Sequence, residues 1–584
     1  MPAFATIYEI RDRFKIQIEI KEYILNKQLL LSITLLFYVY SISFATQFSG
    51  KVTDLNSGDP IDSAHVLIID ETTGSVDSAF SDANGEWTYD FNAIGIDDET
   101  TVPRKFSVAQ NYPNPFNPST IIQFENPAAG LVQVSVYNVL GQQIDSRQQF
   151  LQPGQFAIKW SGTGGAGIYF YSVRAAGKTV TRKMIQLDGG KGSGLSEFYG
   201  GDLSRNLGLL KPSSYSVQLI ISRFGYVSDT VSAEIDGGEY LETPLETVHS
   251  HSLVIDLHND VLERIYYEDQ TYHLKDRHTK WHTDIPRLQE GGVDIQFFVV
   301  WEDYRKYPYT YYDNAFEMID IFNAELAANP NTLAQVRSPA EALAANAEGK
   351  VAGVMAVEGG HVIENSIEKL IDFYEAGMRY MTITWNNSTD WAVSAQDNRS
   401  RTVGLTDFGR KVIRTMDSLG VIIDISHTGI KTIEDILEVT ENPIVATHSG
   451  VRSLKDHYRN LYDDQIRAIA ESGGVVGIVF YPPFIGRGYV SIETVIAHID
   501  YIVDLVGIDY VALGSDFDGI GDNTIVGLRD VTDFPDLTLA LLEHGYSQED
   551  VEKINGLNFM RVFETVCGDS PVSQPRRIAM KSTN

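Results

Sequence analysis

Two hydrophobic rhythms divide the chain. Between about residues 47 and 247, apolar and polar residues alternate in short runs broken by Gly, Pro, Asn and Asp, the signature of half-buried strands. From Leu253 onward, near-continuous runs rich in Val and Ile take turns with longer segments of helical spacing. The runs are 253–260, 293–301, 351–360, 380–385, 421–427, 444–450, 474–482 and 510–519. Strands of this kind suit a parallel sheet buried on both faces. The segments 366–377, 406–420 and 491–507 carry apolar residues at helical intervals. Eight strand–helix units in about 320 residues predict a (β/α)8 TIM barrel. The expected fold class is therefore multidomain, a TIM barrel preceded by all-β sandwich domains.

The β-rich half has internal structure of its own. Residues 50–70 alternate around a Gly-Asp-Pro turn, and Asn84-Gly85 between two strand-like runs (78–91) predicts a hairpin. This stretch resembles the carboxypeptidase regulatory-like sandwich, but the pattern breaks near residue 100 and resumes with SYSVQLIISRFGYVSDTVSAEI (214–235). The interruption contains NYPNPFNPST, VYNVLG and GIYFY…TRKM in that order, and it resembles the sorting domain of the type IX secretion pathway. The expected arrangement is a discontinuous sandwich, 47–98 with 213–247, holding a sorting-like insert at 101–187. Exposed loop tips tolerate such insertions. A Gly/Ser-rich linker is expected over 188–212, the barrel over 248–568 and a C-terminal tail over 569–584.

Composition narrows the partners. A formal charge of −32 repels nucleic acid phosphates and anionic lipid. With one cysteine, Cys567, no intrachain disulfide can form. The apolar segment Leu29–Ala45 follows Lys21 and Lys27 and ends with Ser43 and Ala45 at the −3 and −1 positions of a cleavage site. It reads as a signal peptide with an extended N-terminus (1–45), giving a secreted or cell-surface protein.

Polar residues cluster at the C-terminal ends of the predicted barrel strands. They are His258 and Asp260 on strand one, Glu358 on strand three, His427 on five, His448 on six and Asp516 on eight. TIM-barrel active sites lie at that face, and imidazoles converging with carboxylates suit the N/O preference of zinc. Strand alternation points His258 and Asp260 into the mouth together.

The motifs DLHND, AVEGG, DISHT, ATHSGVRSL, HYRN, GSDFDGI and INGLNFMRVFE carry a close resemblance to the membrane dipeptidase family (M19) across 248–568. The resemblance implies two Zn2+ ions, one bound by His258 and Asp260, the other by His427 and His448, with Glu358 bridging. It implies a metal-bridging hydroxide that attacks the peptide bond of a dipeptide, with Glu358 and Asp516 as catalytic carboxylates. Asp516 would carry the proton to the leaving amine, and Arg459 would hold the substrate carboxylate. Where the family places a histidine at the end of strand four, this chain has Trp385, with Asn386 or Asn387 beside it. Trp385 and Asn386 are thus expected to face substrate. Another amide or lactam substrate is the alternative, and an inactive surface-binding protein a further one. Expected partners are dipeptides, the type IX machinery and a second copy in a homodimer.

Overall fold

The computed structural model describes residues 47–568, apart from 72–75, 91–104, 112–113, 115, 117–118, 164, 166, 176, 187–193, 201–214, 236–237 and 307–309. The signal segment, most of the linker and the tail at 569–584 lie outside the described residues.

Seven strands on either side of the insert share one core. Gln47–Asp54 pairs in parallel with Tyr240–Leu245 and antiparallel with Glu86–Asp90. Facing them, His65–Asp70 is flanked by Val76–Phe80 and by Tyr215–Ser222, which pairs in turn with Asp229–Ile235. Phe48, Val52 and Trp87 of one sheet bury against Val66, Leu219 and Ile221 of the other. The turn at Asn84-Gly85 forms, with Asp82 accepting from the amides of Asn84 and Glu86. It does not make a hairpin, however, because the strands on its two sides belong to different sheets. A local turn signal sets chain reversal, and the inward residues Trp87 and Tyr89 choose the sheet.

The insert is a second sandwich of two four-stranded sheets around Trp160, Tyr171 and Val134. Residues 194–200, expected within the linker, instead form a strand against Gly154–Ser161. The reason is apolar spacing: Leu195 enters the core and Phe198 packs against it, so this piece has a face to bury.

In the C-terminal half, eight parallel strands form the barrel in sequence order. They are β1 (Ile255–Asn259), β2 (Ile295–Trp301), β3 (Val351–Glu358), β4 (Met378–Thr382), β5 (Ile422–Asp424), β6 (Ile444–Ser449), β7 (Val476–Ile478) and β8 (Val511–Leu513). Closure comes just past β8, where Asp516 donates its amide to the His258 carbonyl and Asp260 donates to Phe517. The helices sit where spacing and caps agree. Ser366 and Thr406 accept from the amides of Lys369 and Gly409 at the starts of Ile367–Ala376 and Asp407–Leu419, and Gly377 and Gly420 end them. Phe297 and Tyr380 stack inside the barrel at 5.4 Å, and Phe559 and Phe563 of the last helix pack against Phe297. One end of the barrel is thereby filled, which leaves the other for the polar groups.

Candidate active site

The polar strand ends converge. His427 Nε2 lies 3.1 Å from Glu358 Oε1 and His448 Nε2 lies 3.4 Å from the same oxygen. His258 Nε2 is 3.7 Å from Glu358 Oε2 and 3.5 Å from Asp260 Oδ2. Ligand atoms of His258, Glu358 and His448 fall within 4.8 Å of one another, as do those of His258, Asp260 and Asp516. The two groups overlap at His258.

Local irregularities aim these side chains. The pairing of β1 with β2 slips between Asp256 and Asn259, and that of β6 with β7 slips between Ala446 and Ser449. A bulge re-aims the side chain beside it, and in both strands a histidine lies in the slip. His427 and Asp516, expected at strand ends, stand three residues beyond β5 and β8 in loops. Both take left-handed backbone, at φ 64° and 60°, a conformation non-glycine residues hold only where surrounding contacts impose it. Gly519 lets two carboxylates approach, since a Cβ there would lie 2.3 Å from Asp260 Oδ2 and 2.5 Å from Asp516 Oδ1.

Each histidine has a partner on its other nitrogen. His258 Nδ1 is 2.8 Å from the Tyr380 hydroxyl, which donates its own proton to the Leu257 carbonyl at 2.9 Å. His448 Nδ1 is 2.9 Å from Thr447 Oγ1, whose proton goes to Asp424 at 2.8 Å. His427 Nδ1 is 3.1 Å from Asn386 Oδ1. In every case Nδ1 is the donor, so the lone pair of Nε2 is available to a cation at the centre.

The cluster fits a metal on a direct test. His258 Nε2, Asp260 Oδ1 and Glu358 Oε1 are buried without a hydrogen-bond partner among the described residues. They lie near one another without hydrogen-bond geometry, as donors around a shared ion do. Electrostatics agrees. Burial raises the carboxyl pKa of Asp516 well above its usual range, and Asp260 and Glu358 raise it further. Burial acts the same way on Glu358, but His258 and His427 outweigh it and hold that carboxyl well below the usual range. Burial, then Arg459, lowers His427 to about 4. Three carboxylates this close need positive charge among them to ionise together.

A cavity of about 340 Å3 opens over the cluster, lined by Asp260, Glu358, His427 and Asp516 and walled by Trp301 and Trp385. Trp385 lies 4.9 Å from the Trp301 ring and 6.1 Å from His427. Asn386 reaches the cavity too, but its carbonyl oxygen is engaged by His427. Asn387 is not among the lining residues. Arg459 lies in an adjoining recess of about 180 Å3 that meets the first at His427 and Tyr458. Its Nη2 donates to the His448 carbonyl at 3.0 Å, and its Nε is buried without a partner among the described residues.

Sequence reasoning missed Tyr380, Thr447, Asp424 and Glu263. The first three are polar residues inside otherwise apolar strands, a signal that was there to use. Glu263 also lines the cavity, where burial, then Asp260, pushes its carboxyl up to about 8.

Comparisons with known proteins point the same way. Residues 243–573 match the membrane dipeptidase family, peptidase family M19, and residues 110–186 match the secretion system C-terminal sorting domain. An uncharacterized dipeptidase of Schizosaccharomyces pombe is 32% identical over 377 residues, 61% of this chain and 90% of its own. The crystal structure of the metallopeptidase dipeptidase AC superposes with a TM-score of 0.52 at 28% identity, covering 55% of this chain and 99% of that one. A metallopeptidase from Rhodobacter sphaeroides, liganded with a phosphinate mimic of the dipeptide L-Ala-D-Ala, superposes at 0.50 with 27% identity, covering 54% and 99%. The sorting-domain match makes the protein a secreted or cell-surface one.

Proposed function

The chain belongs to the membrane dipeptidase family, peptidase family M19, and is a metal-dependent amidohydrolase of the dipeptidase type; from that premise we propose a two-zinc dipeptidase whose substrate spans the two recesses. His258, Asp260, Glu358, His427 and His448 are the residues that would hold the ions. Mixed imidazole and carboxylate donors are the set zinc favours. When bound, a pair of divalent ions supplies a nucleophile at neutral pH and polarises the scissile carbonyl.

The chain's own residues do the rest. Arg459 takes the substrate's terminal carboxylate, for which a rigid, buried guanidinium with a free Nε–H is suited. Trp385 and Trp301 exclude water from one side of the cavity and position the substrate by packing. Asp516, in the field of the metal ligands, accepts a proton at its carboxylate and returns it to the departing amine. Asn386 holds the His427 ring and so acts on the site rather than on substrate directly.

The β-rich half is proposed as the export module. It comprises the discontinuous sandwich of 47–98 with 213–247 and the insert, which residues 110–186 adapt to the type IX machinery.

One observation carries the reading: three Nε2 atoms and three carboxylates converge at the barrel mouth, and His258 Nε2, Asp260 Oδ1 and Glu358 Oε1 among them are buried without a hydrogen-bond partner among the described residues. The test is metal analysis of purified protein, followed by turnover of a panel of dipeptides and N-acyl amino acids. About two zinc ions per chain with hydrolysis of dipeptides is expected. Metal-loaded protein that hydrolyses only N-acyl amino acids or lactams would replace the substrate class, and protein inert to all of them would leave a binding role.

A further inference from the structure

Resting on the dipeptidase reading, we propose that Glu263 and the indoles of Trp301 and Trp385 form a cation subsite for an ammonium group on the substrate's N-terminal residue. Glu263 lies in the first turn of the helix Val261–Tyr267, directly after the ligand Asp260, and its carboxylate lines the cavity that holds the metal ligands. Among the described residues it makes no side-chain hydrogen bond and no salt bridge. The cations in its field are Arg264 and Lys306, and both are directed elsewhere. Arg264 bonds Glu268 through Nη1 and the Asp518 carbonyl through Nε, and the Lys306 ammonium sits 3.8 Å over the Tyr267 ring. A half-buried carboxylate that faces a cavity and has no partner among the described residues favours a cation brought by the ligand.

The walls agree with that charge. Trp301 and Trp385 line the same cavity, with ring centroids 4.9 Å apart. Indole faces attract ammonium ions, most strongly where water is excluded. Arg305 already lies 5.4 Å from the Trp385 ring, so this surface accepts a positive charge. The placement also has a direction. Glu263 belongs only to the larger recess and Arg459 only to the smaller, and the two recesses meet at His427 and Tyr458. A dipeptide whose carboxylate faces Arg459 therefore presents its N-terminal residue to Glu263, with the peptide bond over the metal ligands.

The ammonium can be the α-amino group or a basic side chain, and one experiment separates them. The metal-loaded full chain is assayed with Lys-Ala, Ala-Ala, Glu-Ala and N-acetyl-Ala-Ala, as wild type, Glu263→Gln, Glu263→Asp and Glu263→Lys. For a side-chain subsite, the wild type prefers Lys-Ala over Glu-Ala by about tenfold or more in kcat/KM, carried by KM. Glu263→Gln erases that preference, Glu263→Asp keeps it and Glu263→Lys reverses it. For an α-ammonium subsite, Glu263→Gln lowers kcat/KM about tenfold on all three free dipeptides, and the wild type rejects the acetylated one. Either pattern supports the subsite. A Glu263→Gln enzyme within about twofold of wild type on every substrate overturns it while leaving the dipeptidase reading intact. Loss of metal or of fold in that variant assigns Glu263 to the scaffold and overturns it as well. A metal-loaded wild type inert to every dipeptide overturns the parent reading and this inference with it.

Discussion

The Tyr380 hydroxyl stands 2.8 Å from His258 Nδ1 and hands its own proton to the carbonyl of Leu257, the residue before that histidine. One side chain on β4 thus sets both the tautomer and the tilt of His258 on β1, and the two rings lie nearly parallel at 6.4 Å.

Replacing Tyr380 by Phe keeps the packed ring and removes only that acceptor. Zinc affinity or activity should fall by about 10- to 100-fold, the usual effect of losing a partner behind a metal-bound histidine. Excess zinc should restore part of the rate. Competition with a chelator gives the affinity directly, and an unchanged affinity would show that Tyr380 serves packing alone.

Asp516→Asn tests the proton carrier. Asparagine tolerates the left-handed backbone that position 516 adopts, so the fold should survive. An amide cannot accept the proton, and kcat should fall by about two to four orders of magnitude with KM and metal content nearly unchanged. Full metal content beside a largely intact kcat would remove Asp516 from that role.

Asp294 offers a stability test away from the chemistry. Its Oδ2 accepts the Val254 amide at 2.8 Å just before β2, and burial pushes the carboxyl up to about 6. The folded pKa exceeds the unfolded value near 3.9, so the fold favours the protonated form. That contribution is complete below about pH 4 and is lost as pH rises through 6. Asp294→Asn keeps an acceptor and never ionises. It should be more stable than wild type at pH 8, by at most about 3 kcal/mol, and the two should converge near pH 4. Denaturant melts of metal-free protein at both pH values measure it, and a gain equal at the two would refute the assignment.

The sandwiches make a mechanical prediction. Gly194–Gly200 pairs with Gly154–Ser161, and Tyr215–Ser222 pairs with His65–Asp70, so chain on both sides of 187–193 is tied across that segment. A protease site engineered at 187–193 and cut after folding should leave two fragments that co-elute in native buffer and separate in urea. Fragments that part without denaturant would show that these ladders do not hold the halves together.

What the sequence determined by itself was local and periodic. Eight apolar runs, helices bounded by Ser or Thr at one end and Gly at the other, and polar residues just past the strands all follow from spacing. So did the gathering of His258, Asp260, Glu358 and His448 at one face, because the barrel architecture collects strand ends there. The tertiary structure alone decided the rest. Strict alternation would not reveal the slips beside His258 and His448, since a bulge is a relation between two strands. The strands flanking Asn84-Gly85 carried a hairpin signal yet joined different sheets, because burial of Trp87 outweighs a turn preference. Leu195 and Phe198 turned part of a Gly-rich stretch into a strand once a sheet edge was there to receive them. Tyr380 and His258 are 122 residues apart, and no pattern along one chain reports a hydrogen bond across that distance. Glu263 shows the same limit: only the neighbours folded around it decide that its carboxylate faces a cavity and finds no partner there among the described residues.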